Sequence, residues 1–251
     1  MKRSLVSPAS FVPETRFGLW FLGTETWVKY VLTVALNDLE RLIPNRQATY
    51  PVILDVGCGQ GRSFRLLYDK FSPQRLIGVD VEARSLQQAR AHIAQDDLQV
   101  ELFQNDAAAL ELPDASVALL FCHQTFHHLR RQEEALSEFY RVLKPGGLLL
   151  FAESTRAYIY SWIIRLLFRH PMDVQRRAEE YLAMIRHQGF EFGPENISFP
   201  YLWWSRPDIG LAEWLGFPLP QKREETLVNV VARKPLAGPN VSSLQRCSSI
   251  C

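Results

Sequence analysis

The ten residues from Val52 to Gly61, VILDVGCGQG, constrain the fold more than any other part of the chain. An apolar run leads into Asp55, and glycines then recur at positions 57, 59 and 61. A short continuous apolar run bounded by glycines reads as a buried strand. Glycines lack Cβ, so the turn bends tightly and a ligand can approach its backbone. Residues 62–71 (RSFRLLYDKF) read as a helix whose first amides face that turn. Strand, glycine-rich turn and helix in this order make a cofactor cradle of the doubly wound α/β kind.

The same alternation continues downstream. Residues 75–80 (RLIGVD) predict a buried strand ending in Asp80, 83–95 a helix, and 98–104 a strand running into Asn105 and Asp106. Residues 117–122 (VALLFC) predict a fourth strand, followed by His123, His127 and His128. An amphipathic helix over 133–143 is stopped by Lys144-Pro-Gly-Gly147, and 148–153 predict a fifth strand. Strands alternating with helices imply parallel pairing with right-handed crossovers. Helical spacing also covers 24–43, ended by Pro44, and 158–170 and 173–187, split by Pro171. The last strands are expected at 196–202 and 226–233, with a short helix at 208–215 between them. Asp106 is also a candidate N-cap for the alanine run 107–109.

The expected fold is therefore α/β and doubly wound. A seven-stranded, mostly parallel sheet would have an antiparallel last strand and extra helices at the N-terminus and after strand five. One domain would occupy 1–234, with its core at 50–155 and helical cap segments at 1–45 and 156–190. Residues 235–251 read as a flexible tail.

A net charge of +1 leaves no basic excess to neutralise phosphates, so no nucleic-acid partner is expected. The four cysteines, at 58, 122, 247 and 251, follow neither a disulfide framework nor metal-ligand spacing, and no metal is expected. A reduced, cytoplasmic setting fits them. The N-terminus lacks the apolar core of a secretory signal. The most apolar helical stretch, 158–168, contains Arg165 and is shorter than the roughly 20 residues that span a bilayer. The chain reads as soluble.

The glycine spacing narrows the cofactor. A dinucleotide fingerprint needs Gly-x-Gly-x-x-Gly, whereas here the third glycine is Gly61 and position 62 is Arg62. Asp55 in front of the loop would repel a pyrophosphate and favour a cation or an amino group. Taken with Asp80 after the second strand, Asn105-Asp106 after the third and Leu143-Lys-Pro-Gly-Gly147 before the fifth, the chain resembles the class I S-adenosylmethionine-dependent methyltransferases. The resemblance covers roughly residues 50–155. Within that class it is most similar to the ubiquinone/menaquinone biosynthesis branch, on Leu112-Pro-Asp-Ala-Ser-Val117 and the His-His-Leu after strand four.

The resemblance implies S-adenosylmethionine as cofactor, bound by Asp55, Gly57, Cys58, Gly59, Gly61, Asp80, Val81, Asp106, Ala107, Cys122 and His123. Asp80 would accept both ribose hydroxyls and Asp106 the adenine amino group, with Val81 on the adenine face and Cys122 and His123 beside the sulfonium. Asp55 touching ligand and Asp55 holding the loop are equally open readings. Cys58 needs no role beyond fitting a tight turn.

Methyl transfer needs a general base only for a poor nucleophile. Of the three histidines after strand four, His123 is the candidate base, because it directly follows a strand that ends at the cofactor. Helix 158–170 is apolar nearly all round apart from Ser161, Arg165 and Arg169. With Trp20, Phe21, Trp27, Trp203, Trp204 and Trp214 it favours a pocket for a small apolar or aromatic acceptor, methylated at O or C. Peripheral membrane contact by that helix is a further reading. The alternatives are a macromolecular acceptor and a non-catalytic cofactor-binding module.

Overall fold

The computed structural model describes residues 12, 14–206, 208, 210–218 and 223–236. The expected tail from 237 onward, with Cys247 and Cys251, lies outside the described residues, as does Pro13. Seven strands, β1 (Val52–Val56), β2 (Arg75–Asp80), β3 (Val100–Gln104), β4 (Val117–His123), β5 (Leu143–Ser154), β6 (Ile197–Ser198) and β7 (Leu227–Arg233), form one sheet in the order β3-β2-β1-β4-β5-β7-β6. β1 to β5 pair in parallel, and β7 runs antiparallel to both β5 and β6. The expected sheet is thus the observed one. β1 pairs with both β2 and β4, so the chain reverses direction across the sheet there. The crevice beyond the C-terminal strand ends at such a switch point is where open α/β sheets bind ligands.

Before β1 come α1 (Arg16–Leu22), α2 (Glu25–Trp27) and α3 (Thr33–Leu42). The crossovers are α4 (Phe64–Phe71), α5 (Ala83–Gln95) and α6 (Gln132–Val142). After β5 follow α7 (Arg156–Ile159), α8 (Trp162–Leu167), α9 (Ala178–His187) and α10 (Leu211–Trp214). Side chains alternate across the sheet and build one apolar core on each face. Leu54, Val56, Leu120 and Cys122 pack with Phe139 of α6 and Tyr181 of α9. Ile53, Leu119 and Phe121 pack with Leu36 and Leu39 of α3, Phe64 and Leu67 of α4 and Leu86 of α5.

Three expected elements are broken, each for a local reason. The helix expected over 24–43 passes through a π-helical stretch, Val28–Leu32, where the Thr33 amide donates to Val28 O five residues back. Such bulges re-aim side chains and recur at ligand sites. The helix expected over 158–170 splits into α7 and α8, because Ser161 is extended (φ −60°, ψ 145°) and Tyr160 turns its hydroxyl to Met172 O at 2.9 Å. The helix expected from 173 starts only at Ala178. Gln175 and Arg177 are extended, and the Glu180 carboxylate caps α9 by accepting from Arg177 N at 2.7 Å. Residues 107–109 are a turn and not a helix, closed by Ala108 N donating to Asp106 Oδ1 at 2.9 Å.

Candidate active site

The turn after β1 bends through Gly57 (φ +72°), Gly59 (φ +52°) and Gly61 (φ +75°), left-handed conformations that side chains oppose. The three glycines differ in what surrounds them. A Cβ on Gly57 would strike Thr125, and one on Gly61 would strike Phe64 of α4, so both are packing positions. At Gly59 no atom lies within 4 Å of a Cβ position. Its backbone faces open space.

That space is a cleft of about 170 Å³ walled by Val56, Gly57, Gly59, Asp80, Val81, Asn105, Asp106 and Ala107, and closed by Leu19 and Leu22 of α1. The Asp80 carboxylate is held at the strand end by two backbone donors, Gly59 N at 2.8 Å and Glu82 N at 2.8 Å. Burial raises its pKa to about 6 against the lowering effect of those donors. Asp106 has one oxygen in its own turn and the other accepting from Arg131 at 2.7 Å. Cys122 turns away: its side chain is buried in the α6–α9 core, 3.7 Å from Glu153.

A smaller cavity adjoins the loop, lined by Asp55, Cys58, Gly59, Gln60, His123 and Trp27. Asp55 is buried and accepts a hydrogen bond from the Ser63 hydroxyl at the start of α4. Desolvation raises its pKa to about 7. The folded-state pKa therefore lies above the unfolded one. The stability tied to the neutral carboxyl is complete below about pH 4 and is lost as pH rises through about 7. Asp55→Asn is expected to flatten the decline in urea-unfolding stability between pH 4 and 8 by about 2–4 kcal/mol. An unchanged pH profile would refute the assignment.

His123 sits on the same face as Phe121, stacked on it at 5.8 Å and against Trp27 at 5.6 Å. Its Nε2 is buried without a hydrogen-bond partner, and burial holds its pKa down to about 3. It does not line the large aromatic cavity beside the cleft.

That cavity, of about 260 Å³, is walled by Phe21 and Leu22 of α1, by Trp27 at the end of α2, by Tyr30 and Val31 of the π-helical segment, by Tyr158, Ile164, Leu167 and Phe168, and by Trp203 and Trp204. Trp20 and Trp214 lie outside it and are exposed, as are Trp162 and Leu166 on the outer side of α8. Two hydrogen bonds dock α1 on the end of α8: Thr15 Oγ1 donates to Leu167 O at 2.7 Å, and Arg169 N donates to Glu14 at 2.9 Å. The cavity and the cofactor-type cleft share Glu14, Leu22, Gln124 and His128. Gln124 holds a left-handed backbone (φ +51°) at the end of β4 and accepts from Ser154 Oγ at 2.6 Å. Backbone strain of this kind persists where the surroundings demand it.

Behind Gln124 lies a polar cluster built on Glu153. Its carboxyl group is fully buried, accepts from Thr125 N (2.8 Å) and Phe126 N (2.7 Å), and shares a hydrogen bond with His127 Nδ1 (2.6 Å). Burial raises its pKa to about 8 and lowers that of His127 to about 3. His127, His128 and His170 then stack at the cavity floor, with centroids 4.3, 4.8 and 5.1 Å apart. Sequence reasoning singled out His127 and His128 but missed His170, Gln124 and Glu153. An acid ending the apolar run LLLFAE was the available signal for Glu153.

Residues 53–147 match the family model described as "Methyltransferase domain". The chain is 36% identical over 117 residues to trans-aconitate 2-methyltransferase of Azoarcus sp. (strain BH72), covering 47% of this chain and 44% of that one. It is 31% identical over 121 residues to the demethylmenaquinone methyltransferase of Deinococcus radiodurans, covering 47% and 50%. In both cases the chain spans half or less of the relative's length. A SAM dependent methyltransferase structure from Aquifex aeolicus superposes with a TM-score of 0.61 at 17% identity, covering 86% of this chain and 97% of that one. No helix among the described residues is long and apolar enough to cross a membrane. Residues 53–147 thus match a methyltransferase domain, set in a chain with the seven-stranded fold seen in SAM dependent methyltransferase structures.

Proposed function

We propose that the chain transfers a methyl group from S-adenosylmethionine to a small apolar or aromatic acceptor, at an oxygen or carbon atom. The observation that carries this reading is the junction of the glycine-loop cleft with the aromatic cavity at Gln124 and His128. A donor in one space and an acceptor in the other would lie side by side, which is the alignment an in-line displacement requires. When bound, S-adenosylmethionine supplies a methyl group already activated by its sulfonium.

The chain's residues then have limited tasks. Asp80 would accept the ribose hydroxyls, Gly59 would let backbone pass close to the ligand, Gly57 would make room for Thr125 at the cleft wall, and Val81, Asp106 and Ala107 would surround the adenine. Arg131, paired with Asp106, would set the orientation of that carboxylate. Asp55, Cys58 and His123 would line the methionine end, and Gly61 would keep α4 close to the loop. In this reading His123 shapes the cleft and is not the base, since it does not reach the cavity where an acceptor would sit. The apolar walls of Trp27, Tyr158, Phe168 and Trp204 would exclude water and select a flat or aliphatic acceptor.

Incubating the full chain with methyl-labelled S-adenosylmethionine and fractionated cell extract is expected to label a product that partitions into organic solvent. Label confined to protein or nucleic acid would replace the small-molecule reading, and absence of label in every fraction would favour the cofactor-binding module.

A further inference from the structure

Three imidazoles from two separate segments meet at the cavity floor. His127 and His128 come from the turn after β4, and His170 comes from the strap between α8 and α9. One candidate ligand atom from each lies within 4.8 Å of the other two. Packing alone would be better served by apolar side chains, because neutral imidazoles crowded together leave ring nitrogens in need of partners. The surrounding residues nevertheless fix this arrangement.

Two buried or half-buried glutamine contacts tie the segments together. Gln175 Nε2 donates to His127 O at 2.8 Å and to Pro171 O at 2.8 Å, so one amide joins the histidine turn to the residue after His170. Gln132 Nε2 repeats the link, donating to Phe126 O at 3.3 Å and Val174 O at 3.1 Å. Glu153 orients the first ring through its hydrogen bond with His127 Nδ1, which leaves His127 Nε2 directed away from the carboxyl group. A carboxylate behind a ligating histidine is the arrangement that fixes tautomer and ring orientation at metal centres.

We propose that His127, His128 and His170 form a binding site for one divalent transition-metal ion of the zinc type, opening into the aromatic cavity. Imidazole donors suit zinc, iron, nickel and copper. Three protein ligands with a free fourth position describe a reactive centre, whereas a structural site closes all four. Tetrahedral coordination at about 2.0–2.1 Å requires the three nitrogens to draw together to about 3.3 Å. Side-chain rotation can supply this, because His128 and His170 lie only half-buried at the cavity wall. On losing its proton as the ion binds, Glu153 would offset part of the ion's charge from behind.

The three histidines line the same cavity as Tyr158, Ser154 and Gln124, so the ligand completing the site would be an oxygen of the cavity's occupant. A carboxylate or a hydroxyl made acidic by the ion fits that position. This last step rests on the methyl-transfer reading, and the ion site itself does not.

The test is a calorimetric titration of the EDTA-treated, desalted full chain with zinc chloride, repeated with cobalt(II) to read visible absorption. One equivalent is expected to bind with micromolar or tighter affinity, with cobalt bands of a four- or five-coordinate site. His170→Ala and His170→Gln should each weaken binding at least 100-fold, and Glu153→Gln by 10–100-fold. His187→Ala, at an exposed position on α9, should change nothing. S-adenosylhomocysteine affinity of the His170 variants should stay at the parent value, which shows that they are folded and separates this outcome from failure of the cofactor reading. Absence of a stoichiometric site in the parent chain, or equal affinity in the His170 and His187 variants, would reduce the cluster to a stack of neutral rings.

Discussion

Asp80→Ala is expected to weaken S-adenosylhomocysteine binding by roughly 100-fold or more, measured by calorimetry, while the circular dichroism of the chain stays unchanged. The carboxylate stands at the C-terminal edge of β2 with both oxygens on backbone donors, Gly59 N and Glu82 N, each at 2.8 Å. Each oxygen keeps a lone pair for the cleft. Two hydrogen bonds from a ligand diol to a charged acceptor contribute about 1.5–3 kcal/mol each, so their loss amounts to two or more orders of magnitude. Asp80→Asn, with one acceptor oxygen left, should lose less. Burial places the carboxyl pKa at about 6, so the parent affinity should also decline as pH falls below that value. Unchanged affinity in Asp80→Ala would remove this residue from the ligand site.

The second large effect concerns stability. Glu153→Ala is expected to lower the unfolding free energy by about 3–5 kcal/mol, read from urea denaturation. It removes the acceptor of two backbone amides, the half-buried Thr125 N and the buried Phe126 N, and the hydrogen-bond partner of the His127 ring. Each buried donor left without a partner costs about 1–3 kcal/mol, and the void left by the side chain adds to that. Glu153→Gln keeps one acceptor oxygen and should recover more than half of the loss. A loss under 1 kcal/mol in the alanine variant would mean that water replaces the carboxylate, contrary to its complete burial.

Much of this architecture was legible along the chain. The runs VILDV, RLIGVD and VALLFC became β1, β2 and β4 within a residue of their expected limits, because strands buried on both faces need an unbroken apolar sequence. β6 was legible only in part, since two residues, Ile197 and Ser198, pair at the sheet edge where seven were expected. The helices after β5 diverged most. Their apolar residues serve a cavity as well as a core, so periodicity ran on through Ser161 and Gln175, where the backbone is extended.

The glycine loop shows the same division within a few residues. Its spacing, with Asp55 before it and Asp80 one strand later, was sufficient for the strand, turn and helix of a cofactor cradle, because local backbone conformation and hydrophobic pattern act over short distances. The spacing alone could not tell Gly59, which faces the cleft, from Gly57 and Gly61, which seat Thr125 and Phe64. Nor could it place His123 and His127 on opposite sides of the problem, four residues apart. Strand alternation sends His123 toward Phe121 and Trp27, while the turn after β4 delivers His127 to Glu153, 26 residues away, and to His170, 43 residues away. Those contacts join segments remote in sequence, and only the folded packing of β5 and the strap after α8 brings them together.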